Sequence, residues 1–128
     1  MYDEDDEIQN YLRNVESERK DLSRQQQKAL AERISEDSQD ALDTLASAYL
    51  ATAAEMAVAV YDKEGWRGMT LQELIHQANT GLLLATRRYA TRSQHDFADY
   101  IKPYIEAYLN AVVDDYRMHD NYSKRKVL

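Results

Sequence analysis

Residues that turn or break a polypeptide chain are scarce in this sequence. It contains three glycines and one proline in 128 residues, which leaves little room for the turns of a sheet. Alanine, leucine, glutamate, glutamine and arginine are abundant, and these residue types favour helices. The sequence therefore predicts an all-α fold, a compact bundle of about five helices with one hydrophobic core.

Apolar residues recur at helical spacing in five segments. The predicted helices cover residues 5–14, 23–34, 39–60, 70–89 and 99–118. Capping boxes, in which a hydroxyl and a later carboxamide or carboxylate bind each other's backbone amides, mark two of the starts. Ser23 pairs with Gln26 in the first box, and Thr70 pairs with Glu73 in the second.

Charge divides the chain into an acidic start and a basic end. The net charge is −7, and residues 3–7 are all acidic. Such a chain is a poor generic binder of nucleic acid, because affinity for phosphate comes from lysine and arginine. Basic residues cluster at 87–92 and again at 124–126, either as solvated surface or as a binding surface. The predicted organisation is an acidic tail at 1–4, one helical domain at 5–118 and a basic tail at 119–128.

Cysteine and long apolar runs are both missing from the sequence. Without cysteine there is neither a disulfide framework nor a thiolate site. No apolar stretch approaches the roughly 20 residues that a membrane-spanning helix needs, and the acidic start does not resemble a secretory signal. We expect a soluble, cytoplasmic protein that has no membrane partner.

Catalytic signatures are weak in this chain. Glu73 and His76 are one helical turn apart, a spacing that allows both to bind one metal, but two ligands cannot fill a coordination sphere. No nucleophile elbow, phosphate-binding loop or dinucleotide fingerprint is present. The sequence therefore predicts neither an enzyme nor a metal or cofactor site.

Tyrosine is unusually frequent, at ten residues against one phenylalanine and one tryptophan. Tyr100, Tyr104 and Tyr108 recur every fourth residue and so form one stripe on the last helix. One interpretation is a core edge whose hydroxyls reach water. The other is a platform on which unpaired bases stack, next to the arginines at 87–92.

The order of these segments resembles the promoter-melting domain of the bacterial sigma-70 family, in a truncated and divergent form (region 1.2 plus region 2). The resemblance covers about residues 5 to 117. It rests on the motifs Asp6-Glu-Ile-Gln-Asn-Tyr-Leu-Arg13, Leu22-Ser23, Leu30-Ala-Glu-Arg-Ile34, Ala41 with Leu45, Glu73-Leu-Ile-His-Gln-Ala-Asn-Thr-Gly-Leu-Leu-Leu-Ala85, and Phe97, Tyr100, Tyr104 and Ile105. The resemblance implies a sigma region 2-like helical bundle that acts in transcription initiation.

The family docks the helix that matches residues 73–85 on the coiled coil of the largest subunit of RNA polymerase. Carried over residue by residue, the polymerase-binding positions are Glu73, His76, Gln77, Asn79 and Leu83. Gln77 stands where the family has an acid that pairs with an arginine, which implies weaker docking. Gly81 keeps the family pattern and also suits close packing of two helices.

The family's next element captures flipped bases of the minus-ten promoter element on aromatic side chains. Phe97, Tyr100 and Tyr104 match aromatic positions and Arg92 matches a basic one. Together with Arg88 of the same basic segment, these are the expected DNA-binding residues. The departures are Pro103 for the first of two tryptophans, Tyr104 for the second, Glu106 and Ala107 for an arginine and a base-reading glutamine, and Asn110 and Ala111 for a threonine and an arginine. Lost base contacts cost roughly 1–3 kcal/mol per good pair, so the usual form of promoter reading is not expected.

Three hypotheses follow from the sequence. The leading one is a sigma-like protein that binds polymerase core and contacts single-stranded promoter DNA. The alternative is a sigma mimic that binds an anti-sigma factor, or polymerase itself, without reading DNA; its motivation is the acidic balance together with Pro103, Glu106 and Ala107. The third is an unrelated helical bundle, because a fold alone does not determine function.

Overall fold

The computed structural model describes residues 4–89 and 94–127, and the side chains of 5–89 and 94–120. The regular secondary structure of these residues is entirely helical, with no strand. The elements are α1 (Glu4–Ser17), α2 (Arg24–Ser35), α3 (Gln39–Ser47), α4 (Leu50–Glu64), a 3-10 turn (Gly65–Arg67), α5 (Leu71–Tyr89) and α6 (Phe97–Val127). The predicted all-α class is confirmed, and the predicted third helix is two helices.

Helix α5 occupies the centre of the bundle. It packs against α4 on one side and α6 on the other, while α2 packs on α3 and α1 lies against α4. Its buried stripe includes Leu74, Ala78, Leu82 and Ala85, each with no exposed surface. These residues recur at spacings of three and four, so a single face of the helix enters the core. The helical spacing of apolar residues from which this helix was predicted therefore corresponds to its buried face.

The closest approach of two helices is at Gly81. A Cβ atom built at this position would lie 2.8 Å from the carbonyl oxygen of Tyr104 and 3.0 Å from the Cα of Ile105. Only a residue without a side chain allows the backbones of α5 and α6 to come this near. The close packing of two helices that Gly81 suits is present, and the second helix at this point is α6.

The first capping box agrees with its prediction. Ser23 is the N-cap of α2, its side chain accepts a hydrogen bond from the amide of Gln26, and the Gln26 side chain accepts one from the amide of Ser23. At the start of α5 the amide of Glu73 donates to the hydroxyl of Thr70 at 3.0 Å. Capping hydroxyls therefore set the starts of both helices.

The alanine-rich segment breaks at Ala48 and Tyr49, so the prediction of one helix over 39–60 was wrong. Tyr49 has φ −120° and ψ 9°, which is not helical backbone. Its ring is buried and lies 4.9 Å from the ring of Phe97, in an edge-to-face arrangement. The chain bends by 48° between the two helices. Packing of one aromatic ring in the core thus prevails over the helix propensity of the surrounding alanines.

Helix α6 is longer than predicted at both ends. Its first backbone bond is donated by the Tyr100 amide to the Asp96 carbonyl, so the helix begins two residues earlier than residue 99. Pro103 consequently lies inside the helix, where it cannot donate a hydrogen bond to the carbonyl four residues before it. At the other end, the predicted tail at 119–128 is helical through Val127.

Ion pairs join the end of α4 to α6. Glu64 is almost fully buried and accepts hydrogen bonds from Arg67 at 2.8 Å and from Arg117 at 2.6 Å. Arg67 also binds Asp120 at 2.8 Å. The hydrogen bond from Arg67 holds the pKa of the Glu64 carboxyl below its usual value. Paired charges of this kind fix where α6 crosses the 3-10 turn.

Among the described residues, no single helix is long and apolar enough to cross a lipid bilayer. Residues 39–47 and 50–67 reach that length and composition only when they are taken together, across the bend between them.

Replacing Gly81 with alanine tests the α5–α6 approach. In an open helix, Gly→Ala stabilises by roughly 0.5–1 kcal/mol. Here the added methyl group meets backbone atoms at 2.8–3.0 Å, so we expect G81A to lower the free energy of unfolding by about 1–3 kcal/mol. Urea denaturation followed by circular dichroism measures the change. Arg87→Ala, at an exposed position of the same helix, is the control and should change stability by less than about 0.5 kcal/mol. Stabilisation by G81A would contradict the close approach.

Candidate functional site

The five predicted polymerase-binding residues lie together on α5. At about 100° per residue, Glu73, His76, Gln77, Asn79 and Leu83 span about 160° of the helix circumference. His76 and Leu83 are exposed, and the other three are partly buried. This set is called the α5 face below. It lies away from the stripe that enters the core, so the helix can bind a partner without unfolding.

Two residues of the α5 face are already held by neighbouring helices. The hydroxyl of Tyr116 on α6 donates to Glu73 Oε2 at 3.0 Å, and this hydrogen bond raises the pKa of the Tyr116 phenol. The side-chain nitrogen of Asn79 donates to the hydroxyl of Tyr11 on α1 at 3.0 Å. These bonds fix both side chains before any partner arrives, which reduces the entropy lost on binding.

Among the described residues, no third metal-binding side chain lies near Glu73 and His76. In the parts of the chain that the structure describes, no three histidine, aspartate or glutamate side chains converge on one point. Glu73 accepts a hydrogen bond from Tyr116 instead.

The predicted DNA-binding residues separate into three groups. Arg92 lies outside the described residues. Arg88, Tyr100 and Tyr104 lie together where the end of α5 meets the first turns of α6. The Arg88 guanidinium is 5.7 Å from the centre of the Tyr104 ring, and the two tyrosine rings are 5.3 Å apart. We call these three residues the Arg88 cluster. An arginine over an aromatic ring, with a second ring beside it, is a surface on which a base can stack.

The two tyrosines of the Arg88 cluster are half-buried. Their hydroxyls lie 3.3 Å apart, and the Tyr100 ring also packs 5.2 Å from the ring of Tyr89. The stripe predicted from the four-residue spacing therefore forms, and it serves as the edge of the core as well as part of the surface.

Phe97 is not a surface residue, so its prediction as a DNA contact is corrected. Its side chain has no exposed area and lies edge-to-face between Tyr49 and Tyr89, each at a ring distance of 4.9 Å. No base can reach it while α6 is packed. The helical spacing places Phe97 near Tyr100. Which of these two side chains is exposed to solvent depends on the tertiary packing.

A buried glutamine holds the start of α6 in place. Gln27 on α2 is 1% exposed, and its Oε1 accepts from the amide of Phe97 at 2.9 Å and from the hydroxyl of Tyr89 at 3.2 Å. Its Nε2 donates to Asp96 at 3.1 Å and to the carbonyl of Leu22 at 3.0 Å. These contacts, the Gln27 network, position the segment from which the Arg88 cluster projects.

Arg24 and Tyr49 complete the Gln27 network. Arg24 donates to the Tyr89 hydroxyl at 2.6 Å and to the carbonyl of His95, and the Tyr49 hydroxyl lies 3.5 Å from Gln27 Nε2. Burial is the main reason that the pKa values of the Tyr49 and Tyr89 phenols are raised. In this network the Tyr49 hydroxyl accepts from Gln27 Nε2, and the Tyr89 hydroxyl accepts from Arg24.

Gln27 was not found from the sequence. It is one of three consecutive glutamines, at 25, 26 and 27, and nothing in their type separates the buried one from its neighbours. The spacing of Gln27, Leu30 and Ile34 on one helical face is the signal that could have indicated its burial.

Comparisons of this chain with protein-family models, with curated proteins and with solved structures find no match.

Replacing Gln27 with leucine tests the Gln27 network. The variant leaves the buried Phe97 amide without its partner and removes the hydrogen bonds to Asp96 and to the Leu22 carbonyl. A buried unsatisfied group costs about 1–3 kcal/mol. We expect Q27L to lower the free energy of unfolding by about 3 kcal/mol and to speed hydrogen exchange at the Phe97 amide. Gln25→Leu, at the exposed neighbouring position, is the matched control. Equal effects of the two substitutions would show that the network does not hold α6.

Proposed function

We propose that this chain is a sigma-factor-like transcription protein that docks on the core of bacterial RNA polymerase through the α5 face. The sigma-70 resemblance of residues 73–85 motivates the proposal. The observation that carries it is Leu83, which is 39% exposed on a helix whose opposite face is fully buried. A partner helix that covers this side of α5 would remove the apolar surface of Leu83 from water.

The geometry of the α5 face suits a helical partner. His76 and Leu83 are two turns apart on the same side of α5. A helix of a coiled coil presents side chains at matching intervals, so its residues can pack along this row. Within the proposal, the partner is the coiled coil of the largest polymerase subunit.

The second part of the proposal is contact with single-stranded promoter DNA at the Arg88 cluster. The cation over the Tyr104 ring and the adjacent ring of Tyr100 support it, because bases stack on aromatic rings and arginine binds the backbone. Phe97 has no part in this contact, since it is buried in the core.

A sigma mimic is the second candidate, and specific observations favour it. Glu106 is exposed one turn after Pro103 on the helix that carries Tyr104, and an acid there repels phosphate. The burial of Phe97 removes one of the aromatic positions that the family uses. A mimic would keep the α5 face, bind polymerase or an anti-sigma factor, and leave DNA unread.

Substitution of Leu83 tests docking. We expect purified wild-type protein to bind immobilised polymerase core, and L83D to weaken that binding by about tenfold or more, as loss of a buried apolar contact does. Met118→Asp is the matched control, because Met118 is an exposed apolar residue of α6 that lies outside the α5 face. Biolayer interferometry gives both affinities. Wild-type protein that does not bind core, or equal losses in L83D and M118D, would refute docking by this face.

Reversal of charge at Arg88 tests the DNA contact. Fluorescence anisotropy with a labelled non-template minus-ten oligonucleotide should show binding that weakens as salt rises. R88E should reduce the affinity by about fivefold or more relative to Lys28→Glu, an equal charge change at an exposed site on α2. Wild-type protein that binds core but not the oligonucleotide at low salt would favour the mimic.

A further inference from the structure

A cleft separates α1 from the first half of α5. Its volume is about 330 Å³, which is within the range of ligand-binding clefts. Residues of α1 form one wall and residues of α5 form the other. The lining consists of Glu7, Ile8, Tyr11, Gln72, Ile75, His76 and Asn79. Two of them, His76 and Asn79, belong to the α5 face.

The lining selects for one kind of ligand charge. Glu7 is an acid, and no lysine or arginine is among the residues that line the cleft. Ile8 and Ile75 supply apolar surface, and the carboxamides of Gln72 and Asn79 supply hydrogen-bonding atoms. A carboxylate with neutral acceptors favours a cation that carries several N–H donors over any anion.

Asn79 has a hydrogen-bonding atom to spare. Its Nδ2 is bound to Tyr11, while its Oδ1 is buried and has no partner among the described residues. Exchanging the two amide atoms would let Tyr11 donate to the oxygen, and the nitrogen would then lack a partner. In both orientations the carboxamide is incompletely bonded, which is costly for a buried group. With the carboxamide rotated, its oxygen lies beside Tyr11 at the cleft and can accept from a ligand that brings N–H donors.

The cleft continues into a second one that suits a polypeptide. The neighbouring space, about 580 Å³ in volume, shares Ile8 and Gln72 with the first and runs past Tyr61, Met69 and Leu71. Its lining also contains an acid, Asp5, and no basic residue. A chain that lies along both clefts could therefore place apolar groups in one and a cation in the other.

We propose that the α1–α5 cleft binds an arginine side chain presented by a cationic segment of a partner protein. Arginine meets each requirement: its aliphatic stem packs on Ile8 and Ile75, and its planar guanidinium offers five donors to Glu7 and the carboxamides. The inference rests on the proposed function, because the cleft shares residues with the α5 face. It adds α1 to the docking surface and assigns the charge of the partner.

A pair of isosteric probes tests the assignment. N-acetyl-arginine methylamide and its neutral citrulline counterpart differ in charge at the side-chain end and little in shape. In ¹H–¹⁵N NMR titrations of the full chain, we expect the arginine probe to shift the amides of Tyr11, His76 and Asn79. We expect the citrulline probe to bind at least about fivefold more weakly than the arginine probe.

Two neighbouring acids provide the matched variants. Glu7 and Asp6 are both exposed on α1, but only Glu7 lines the cleft. We expect E7Q to weaken arginine binding by about fivefold and D6N, which removes the same charge, by less than about twofold. Equal weakening by E7Q and D6N, equal binding of the two probes, or shifts confined to α1 would overturn the assignment, because non-specific attraction to the acidic segment gives those results.

The probe experiment contains no polymerase, so its outcome is separate from that of the docking test. Arginine binding by a chain that does not capture polymerase would refute the proposed function and leave the cleft with a different protein partner. Polymerase capture without arginine binding would refute the cleft assignment alone.

Discussion

The buried carboxamide of Gln27 is the interaction on which the arrangement of the bundle depends. It joins α2 to the end of α5 through Tyr89, to the start of α6 through Asp96 and Phe97, and to the α3–α4 break through Tyr49. A carboxamide has both donors and acceptors, so one side chain can satisfy groups of both kinds. Because the site is buried, water cannot replace a hydrogen bond that is lost there. Moving one of the three segments would leave polar atoms unpaired, so their relative position is restricted.

That position explains why the aromatic residues of α6 divide between core and surface. Gln27 holds the amide of Phe97, and the Phe97 ring lies between two tyrosine rings. The rotation of α6 about its own axis is therefore fixed, and so is the direction of each later side chain. Ile101 and Ile105 enter the core, and Tyr100 and Tyr104 reach its edge. The contact at Gly81 then brings α5 against this helix. The Arg88 cluster is thus a product of core packing and not an independent surface feature.

The sequence predicts features that depend on neighbouring residues better than those that depend on distant ones. The start of α2 follows from Ser23 and Gln26, and the buried stripe of α5 follows from its own periodicity, so both could be predicted. The break at Tyr49 could not, because its cause is a ring contact with a residue 48 positions away. The same holds for Phe97: helical spacing places it beside Tyr100, but its burial depends on Tyr49 and Tyr89, which lie 48 and eight positions before it in the sequence.

The two parts of the proposed function make different demands on the fold. Docking needs only the α5 face and α1, and there the core takes up the opposite side of the helix, so these residues are displayed without opening the core. Reading DNA needs aromatic rings that can stack on bases, but the fold uses Phe97 fully and Tyr100 and Tyr104 partly as packing groups. Exposing them would require opening the core beside the Gln27 network. Within the proposed function, this architecture can therefore keep the α5 face available for docking while contact with bases weakens.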